Sequence, residues 1–312
     1  MGKGKKKTKG KKKREGKKLR EETGVDDSST FQLQLDPAHM ERARSAAANR
    51  KEDPLKNWTR LLNQECPICM LPLPLSVRDT HYCVTCGKTV CKGCLFGSAQ
   101  VHKRDGTDRE TAIEKIMACS FCRSSLQPPV KAMLEKTMRL ANAGQHEGMY
   151  RLATYYCKGQ MGLQQDIAEG VKWYHRAIEA GSGKAAYDLG VYYNLGDEEV
   201  EQDIEQSLEY HQKSADLGYS PAFVMIGTIL MTMGEIEEAM LNFRKTAICG
   251  MSEDETLFNT LRFGFTEGLI TKDEYAFTLR EYQAARNEVK SEHREDVKRV
   301  VELMSSGSGL RH

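Results

Sequence analysis

No apolar run in this 312-residue chain reaches membrane-spanning length; the longest, around Pro221 to Met233, has the size of a buried helix. The N-terminus also lacks the basic-then-apolar pattern of a secretory signal. These two absences predict a soluble intracellular protein, cytoplasmic or nuclear. A phosphate-cradling Gly-x-x-x-x-Gly-Lys-Ser/Thr loop, a nucleophile elbow and a dinucleotide-binding glycine fingerprint are missing too. The acidic run Asp197-Glu198-Glu199 falls in a loop and reads as a solvated face. Any activity is therefore expected from the one cysteine-rich segment.

Net charge is nearly absent at +2, but the total hides an asymmetry. The first twenty residues hold twelve Lys or Arg and one Glu, a local +11, which leaves −9 on the remaining 292. A run such as Lys3-Gly4-Lys5-Lys6-Lys7 cannot bury apolar surface, so residues 1–30 are expected to be a disordered basic tail and linker. Residues 3–20 fit a nuclear localisation signal or loose contact with a nucleic-acid backbone, and nucleic acid is expected at this tail alone. The tail has no aromatic residue for base stacking, and Lys6 occupies the Ser/Thr position of a myristoylation motif.

What is present begins with eight cysteines in four Cys-x-x-Cys pairs: Cys66/Cys69, Cys83/Cys86, Cys91/Cys94 and Cys119/Cys122. Such a turn puts two thiolates on one side of a tight loop, the bite tetrahedral zinc requires. Two pairs close one four-cysteine site, so four pairs predict two structural Zn2+ ions and no open catalytic position. The competing reading is a disulfide framework, which suits secreted chains; without a secretory signal the spacing favours metal. The pairs are separated by thirteen, four and twenty-four residues. The four-residue gap is too short to close a site comfortably from neighbouring pairs, so interleaving is expected. That assigns Cys66, Cys69, Cys91 and Cys94 to one zinc and Cys83, Cys86, Cys119 and Cys122 to the other. Cys157 and Cys249 sit at apolar helical positions and read as small core residues.

A helical lead-in over 31–64 precedes the cysteines. Asp36-Pro37 reads as a helix start that continues through Arg50. Asp53-Pro54 restarts a short helix whose Leu55, Trp58, Leu61 and Leu62 share one face, with Trp58 expected against the zinc segment. Between Cys94 and Cys119, Thr107 and Glu110 form a capping-box pattern before Ile113, Ile116 and Met117, which are expected to pack the small core.

Cys66-Pro67-Ile68-Cys69 and Cys119-Ser120-Phe121-Cys122-Arg123 resemble the first and last pairs of a RING finger, over about 60 residues. The resemblance implies an interleaved cross-brace fold at 65–125 that binds a ubiquitin-conjugating enzyme. Ile68 would touch that enzyme, and Arg123 would be the cation clamping its ubiquitin conjugate. The chain departs from the RING pattern at Cys86, where His is usual, at Ser120, where Pro is common, and in having no Trp between Cys94 and Cys119. The stretch His81 to Cys91 is similar to the centre of a FYVE finger, including its four-residue spacer. FYVE fingers bind a phosphoinositide through a dense basic motif. Here that region is Arg78, Asp79, Thr80 and His81, a sparse phosphate clamp. Because eight cysteines fill both sites, His81 and His102 read as surface or outer-shell residues.

From Pro129 the chain repeats with a 37-residue step. Leu152-Ala153-Thr154-Tyr155-Tyr156-x-x-Gly159 recurs as Leu189-Gly190-Val191-Tyr192-Tyr193-x-x-Gly196; Gly144, Gly181 and Gly218 keep the step, as do Asp166 and Asp203, and Trp173 and Tyr210. A third unit, with Ile226-Gly227 and ending at Gly250, is five residues shorter, the loss falling between its helices. Such a period predicts an all-α solenoid of helix-turn-helix, TPR-like repeats over 129–250. Small residues at 153, 190 and 227 let helices approach, and Tyr156, Tyr193 and Trp173 fill the space between them. The Leu-Gly-x-x-Tyr-x-x-Gly motif resembles Sel1-like repeats, which implies an adaptor scaffold that binds a protein partner on its concave surface. Residues 251–304 read as a degenerate repeat with Leu261, Phe265 and Gly268, then a capping helix from the capping box Thr271 to Glu274 to about Met304, with a solvated second half. Residues 305–312 are expected to be disordered. The expected function is a RING-type ubiquitin ligase or ligase adaptor. The alternatives are a zinc-stabilised interaction scaffold without enzymatic activity and a phosphoinositide-binding module.

Overall fold

The 37-residue step becomes a stack of helix pairs. In the computed structural model, residues 35–59, 65–74, 79–95, 118–125, 127–196, 200–250, 255–292 and 294–296 are described. The chain divides into two compact units, Met1–Pro37 and Ala38–His312, and the packing below belongs to the second. The basic tail, Leu61, Leu62, Arg78, His102, the 107–117 helix, the Asp197–Glu199 run and residues 305–312 lie outside the described residues.

Helix α1 (Pro37–Asn49) begins directly after Asp36, the position where a proline costs no hydrogen bond. Strands β1 (Thr80–Tyr82) and β2 (Thr89–Cys91) pair antiparallel, with His81 opposite Val90. Helix α2 (Val130–Asn142) leads into three helix pairs: α3 (His146–Lys158) with α4 (Ile167–Glu179), α5 (Gly183–Leu195) with α6 (Ile204–Asp216), and α7 (Ala222–Met233) with α8 (Ile236–Ile248). Helices α9 (Glu255–Thr266) and α10 (Lys272–Glu288) follow and pack on α8.

Local chemistry sets the ends. Asp166 and Asp203, one step apart, each accept the backbone N–H three residues on, from Glu169 and Gln206. Thr271 and Glu274 make both bonds of a capping box at the start of α10. Gly181 follows α4 with φ 93°, a conformation that side chains resist, and Ser182 N–H returns to Ala177 O at 2.8 Å. The shortening of the third unit falls where α7 and α8 are joined by Gly234 and Glu235 alone, against eight residues between α5 and α6. Leu152, Ala153, Tyr174, Ala177 and Leu189 form one buried cluster with Trp173 and Cys157.

The small residues act as close-approach points. A Cβ at Gly190 would lie 2.9 Å from the His211 ring, and one at Gly227 would lie 2.9 Å from the Phe243 ring. His211 stands one repeat step after Tyr174, at the position Phe243 takes in the shorter unit. It is 0% exposed, edge-on to Tyr187, and neither ring nitrogen has a hydrogen-bond partner. Burial lowers its pKa to about 4. An unfolded histidine titrates near 6.5, so the folded state refuses a proton the unfolded state takes. The stability this neutral ring carries is whole above pH 6.5 and is lost as pH falls toward 4, by up to about 3 kcal/mol. His211→Phe should therefore be more stable than wild type by about 2 kcal/mol at pH 5 beyond any difference at pH 7.5. Urea unfolding of both proteins at the two pH values reads this, because acid effects elsewhere are common to both. A pH-independent difference would refute the buried neutral ring.

The structure corrects three expectations. Residues 54–57 form turns, not a helix, because Asp53 Oδ1 accepts Leu55 N–H at 2.9 Å and closes the chain there. Trp58 packs edge-on to Phe223 of α7 at 5.7 Å, beside the Lys245 ammonium, and so joins the repeats instead of the cysteine segment. Helix α10 ends at Glu288, short of Met304, and the chain beyond turns onto the cysteine segment.

Candidate metal centres

Three of the four Cys-x-x-Cys pairs are built on one backbone turn. Cys66 N–H bonds Leu71 O at 2.8 Å and Cys66 O accepts Met70 N–H at 2.8 Å; Cys83 with Lys88 and Gly87, and Cys119 with Ser124 and Arg123, repeat the pattern at 2.8 to 2.9 Å. The turn places its fifth residue at positive φ: Met70 at 57°, Gly87 at 72° and Arg123 at 55°. Glycine takes this conformation freely, whereas Met70 and Arg123 hold it at some cost, a sign that the turn is over-determined by what it positions. Cys91 closes β2, and a helical turn at 92–95 carries Cys94.

The eight sulfurs form two groups. Cys66, Cys69, Cys91 and Cys94 lie together, as do Cys83, Cys86, Cys119 and Cys122, with the ligand atoms of each group within 4.8 Å of one another. The first pair thus meets the third and the second meets the fourth, with Cys91 at the end of β2 lying against Cys66 of the first turn. Sulfur–sulfur distances of 3.9 Å (Cys69–Cys91), 3.6 Å (Cys83–Cys122) and 3.7 Å (Cys86–Cys119) match the roughly 3.8 Å edge of a tetrahedron with metal–sulfur bonds of about 2.3 Å. All ten cysteines are free of disulfides. Either group could hold a metal ion.

Electrostatics within the groups are uneven. Burial opposes ionisation of Cys66 and Cys83, but backbone N–H donors outweigh it and bring them down to about 7 and about 6. Burial, with neighbouring cysteines adding to it, pushes Cys86 up to about 12 and Cys94 higher. Cys91 N–H donates to Cys66 Sγ at 3.4 Å and Phe121 N–H to Cys119 Sγ at 3.5 Å, the outer hydrogen bonds a thiolate site uses.

The second turn is docked on the repeats. Arg139 of α2 donates to Thr85 O at 3.0 Å, the Arg151 guanidinium of α3 lies 4.3 Å over the Tyr82 ring, and Gly87 abuts Gln145. Burial raises Tyr82 to about 12. His81 is half-buried with its Nε2 enclosed and unpartnered, and it stays outside both sulfur groups. The first and last turns instead leave apolar side chains in water: Ile68 is 42% exposed, Met70 66% and Phe121 40%, the last under the Lys88 ammonium. Arg123, two residues after Phe121, is exposed as well.

Sequence reading missed one residue of this region. Arg294, 6% exposed, donates from one nitrogen to Pro72 O at 2.9 Å and Val289 O at 2.8 Å, and from the other to Cys69 Sγ at 3.4 Å. A lone cation in a charged run gave no signal of it.

Residues 146–182 and 183–219 match the family model described as Sel1 repeat. These spans are α3–α4 and α5–α6, so the match to Sel1 repeats falls on two helix pairs of the array. Solved structures similar to the chain include a Sel1 repeat protein from Oxalobacter formigenes, at 24% identity over 42% of this chain and 97% of that one, with a TM-score of 0.37. Another is c5321, a protective antigen of uropathogenic Escherichia coli displaying an SLR fold, at 20% identity over 64% of this chain and 46% of that one, with a TM-score of 0.39. A search of curated proteins finds no match. Among the described residues no helix is long and apolar enough to cross a membrane.

Proposed function

We propose that both sulfur groups hold structural zinc and that the finger recruits a ubiquitin-conjugating enzyme while the Sel1 repeats bind a protein partner, making the chain a RING-type ligase or ligase adaptor. The observation that supports this reading is the exposure of Ile68 and Phe121, 42% and 40%, within turns whose cysteine sulfurs converge on the two groups. Exposed apolar side chains at the turn tips offer the apolar contact that a docked enzyme would use. Zinc would supply the cross-link that holds these turns and no reaction chemistry. Ile68 contributes apolar contact, and Arg123 contributes charge-assisted hydrogen bonds spanning enzyme and conjugate. Catalysis is then positioning: one orientation of the thioester conjugate is held for attack by a lysine.

The test is autoubiquitination in a purified system with a panel of conjugating enzymes. Wild type should build chains, Arg123→Ala should lose about 100-fold of the rate, as the loss of a positioning contact does, and Cys66→Ser should be inactive. Full activity of Arg123→Ala would end its assigned role.

A second reading rests on the docked turn. Contacts of Thr85, Tyr82 and Gly87 with α2, α3 and Gln145 suit a zinc-stapled cap closing the first repeat of a non-enzymatic scaffold. Binding titrations against the same enzyme panel separate the two: no binding by zinc-loaded protein at high concentration leaves the scaffold.

A further inference from the structure

Arg294 lies 225 residues from Cys69 in sequence, yet its guanidinium is buried against that sulfur, with the Cys91 sulfur also facing it. Gly93, between Cys91 and Cys94, is pressed against the Arg294 backbone: a Cβ there would lie 2.9 Å from Arg294 N and 2.7 Å from its Cγ. The residue is therefore built into the first centre and not draped over it. Among the described residues its side chain donates to two carbonyls and a sulfur and pairs with no carboxylate, and its Nε is enclosed without a partner. A buried guanidinium needs an anion. Neutral thiols would not provide one. Four thiolates around a divalent ion carry a net charge of about −2 and would.

From this we propose that Arg294 is the outer-shell counter-ion of the Cys66/Cys69/Cys91/Cys94 centre, and that metal at this centre latches residues 289–296 onto the finger. The proposal rests on the metal reading above. The coupling runs both ways: the cation lowers the cost of the buried thiolate charge, and the charge holds the segment following α10. At the second centre, Cys83, Cys86, Cys119 and Cys122, the sulfurs have other cysteines, Ser124 and the Phe121 N–H as hydrogen-bond partners among the described residues, so it serves as an internal control.

The experiment uses full-length zinc-loaded protein. Two zinc ions per chain in wild type tests the metal reading alone, and a metal-free folded wild type would end both proposals together. Given two ions, chelator-driven release followed with a zinc-sensitive dye should show two phases, of which Cys66→Ser identifies the first centre. Arg294→Met should speed release from that centre about tenfold and leave the other unchanged, as loss of an outer-shell partner does. Arg294→Lys, which keeps the charge but not the fork to Pro72 and Val289 carbonyls, should restore most of the slow release; a purely structural role would not be rescued. Hydrogen exchange of residues 289–296 should rise in wild type when the first centre is emptied. Release unchanged in Arg294→Met, or both centres speeding equally, would overturn the proposal.

Discussion

Treatment with a strong chelator should remove two metal ions per chain and open the cysteine-bearing segment to protease while the helical signal of the repeats persists. The described part of the cysteine segment has one two-stranded ribbon and a buried cluster of Leu73, Val90 and cysteines. An isolated hairpin is marginal in water. Among the described residues that cluster is too small to hold the turns without a cross-link. Structural zinc in peptide-sized sites binds with an apparent free energy of about 10–16 kcal/mol near neutral pH, and where no site preforms that is folding free energy. Cys66→Ser should therefore lower the content to one ion and loosen both interleaved turns, because Cys91 lies at the end of the strand paired with β1. Metal analysis with limited proteolysis reads this outcome. A finger equally protected with and without chelator would mean that the cysteines hold no structural ion.

The chain shows which parts of a fold are written locally. A Cys-x-x-Cys turn is a five-residue event, so its chemistry is visible wherever it occurs. The grouping of the pairs follows from one short spacer and the ribbon it closes. The repeat is legible for a similar reason: Asp166 and Asp203, or Gly181 and Gly218, solve the same cap and turn problem one step apart. Partners reached across the whole chain leave no such mark. Trp58 has the apolar spacing of a helix face, and nothing near it in sequence tells that Phe223 waits for it. Arg294 looks like any cation of a solvated helix until the chain turns after Glu288 and delivers it to Cys69. His211 is the converse case. The periodicity marks its position as core, but a polar ring in an aromatic slot becomes a pH-sensitive element only when its neighbours offer no hydrogen bond.

The same long-range logic governs the end of the array farther from the finger in sequence, where Arg244 of α8 is 1% exposed. Its guanidinium donates to Thr278 Oγ1 at 2.9 Å and Asp53 Oδ2 at 2.5 Å, with Glu274 Oε1 3.4 Å away. Glu274 is itself buried, caps α10 and pairs with Arg50. One side chain thus ties the segment after α1 to the third repeat and to α10. Arg244→Met should cost about 3–5 kcal/mol in urea unfolding, since it leaves the mostly buried Asp53 carboxylate without its cation. The pair itself contributes less than that figure, because its desolvation opposes its attraction. Asp53→Asn in the Arg244→Met background should consequently recover part of the loss, giving a double-mutant cycle far from additive. Arg244→Lys should fall between, keeping the charge but not the fork that serves Thr278 and Asp53 at once. If Arg244→Met stays within about 1 kcal/mol of wild type, the range of an ordinary surface pair, then water reaches Asp53 freely and the network does not bind these three elements together.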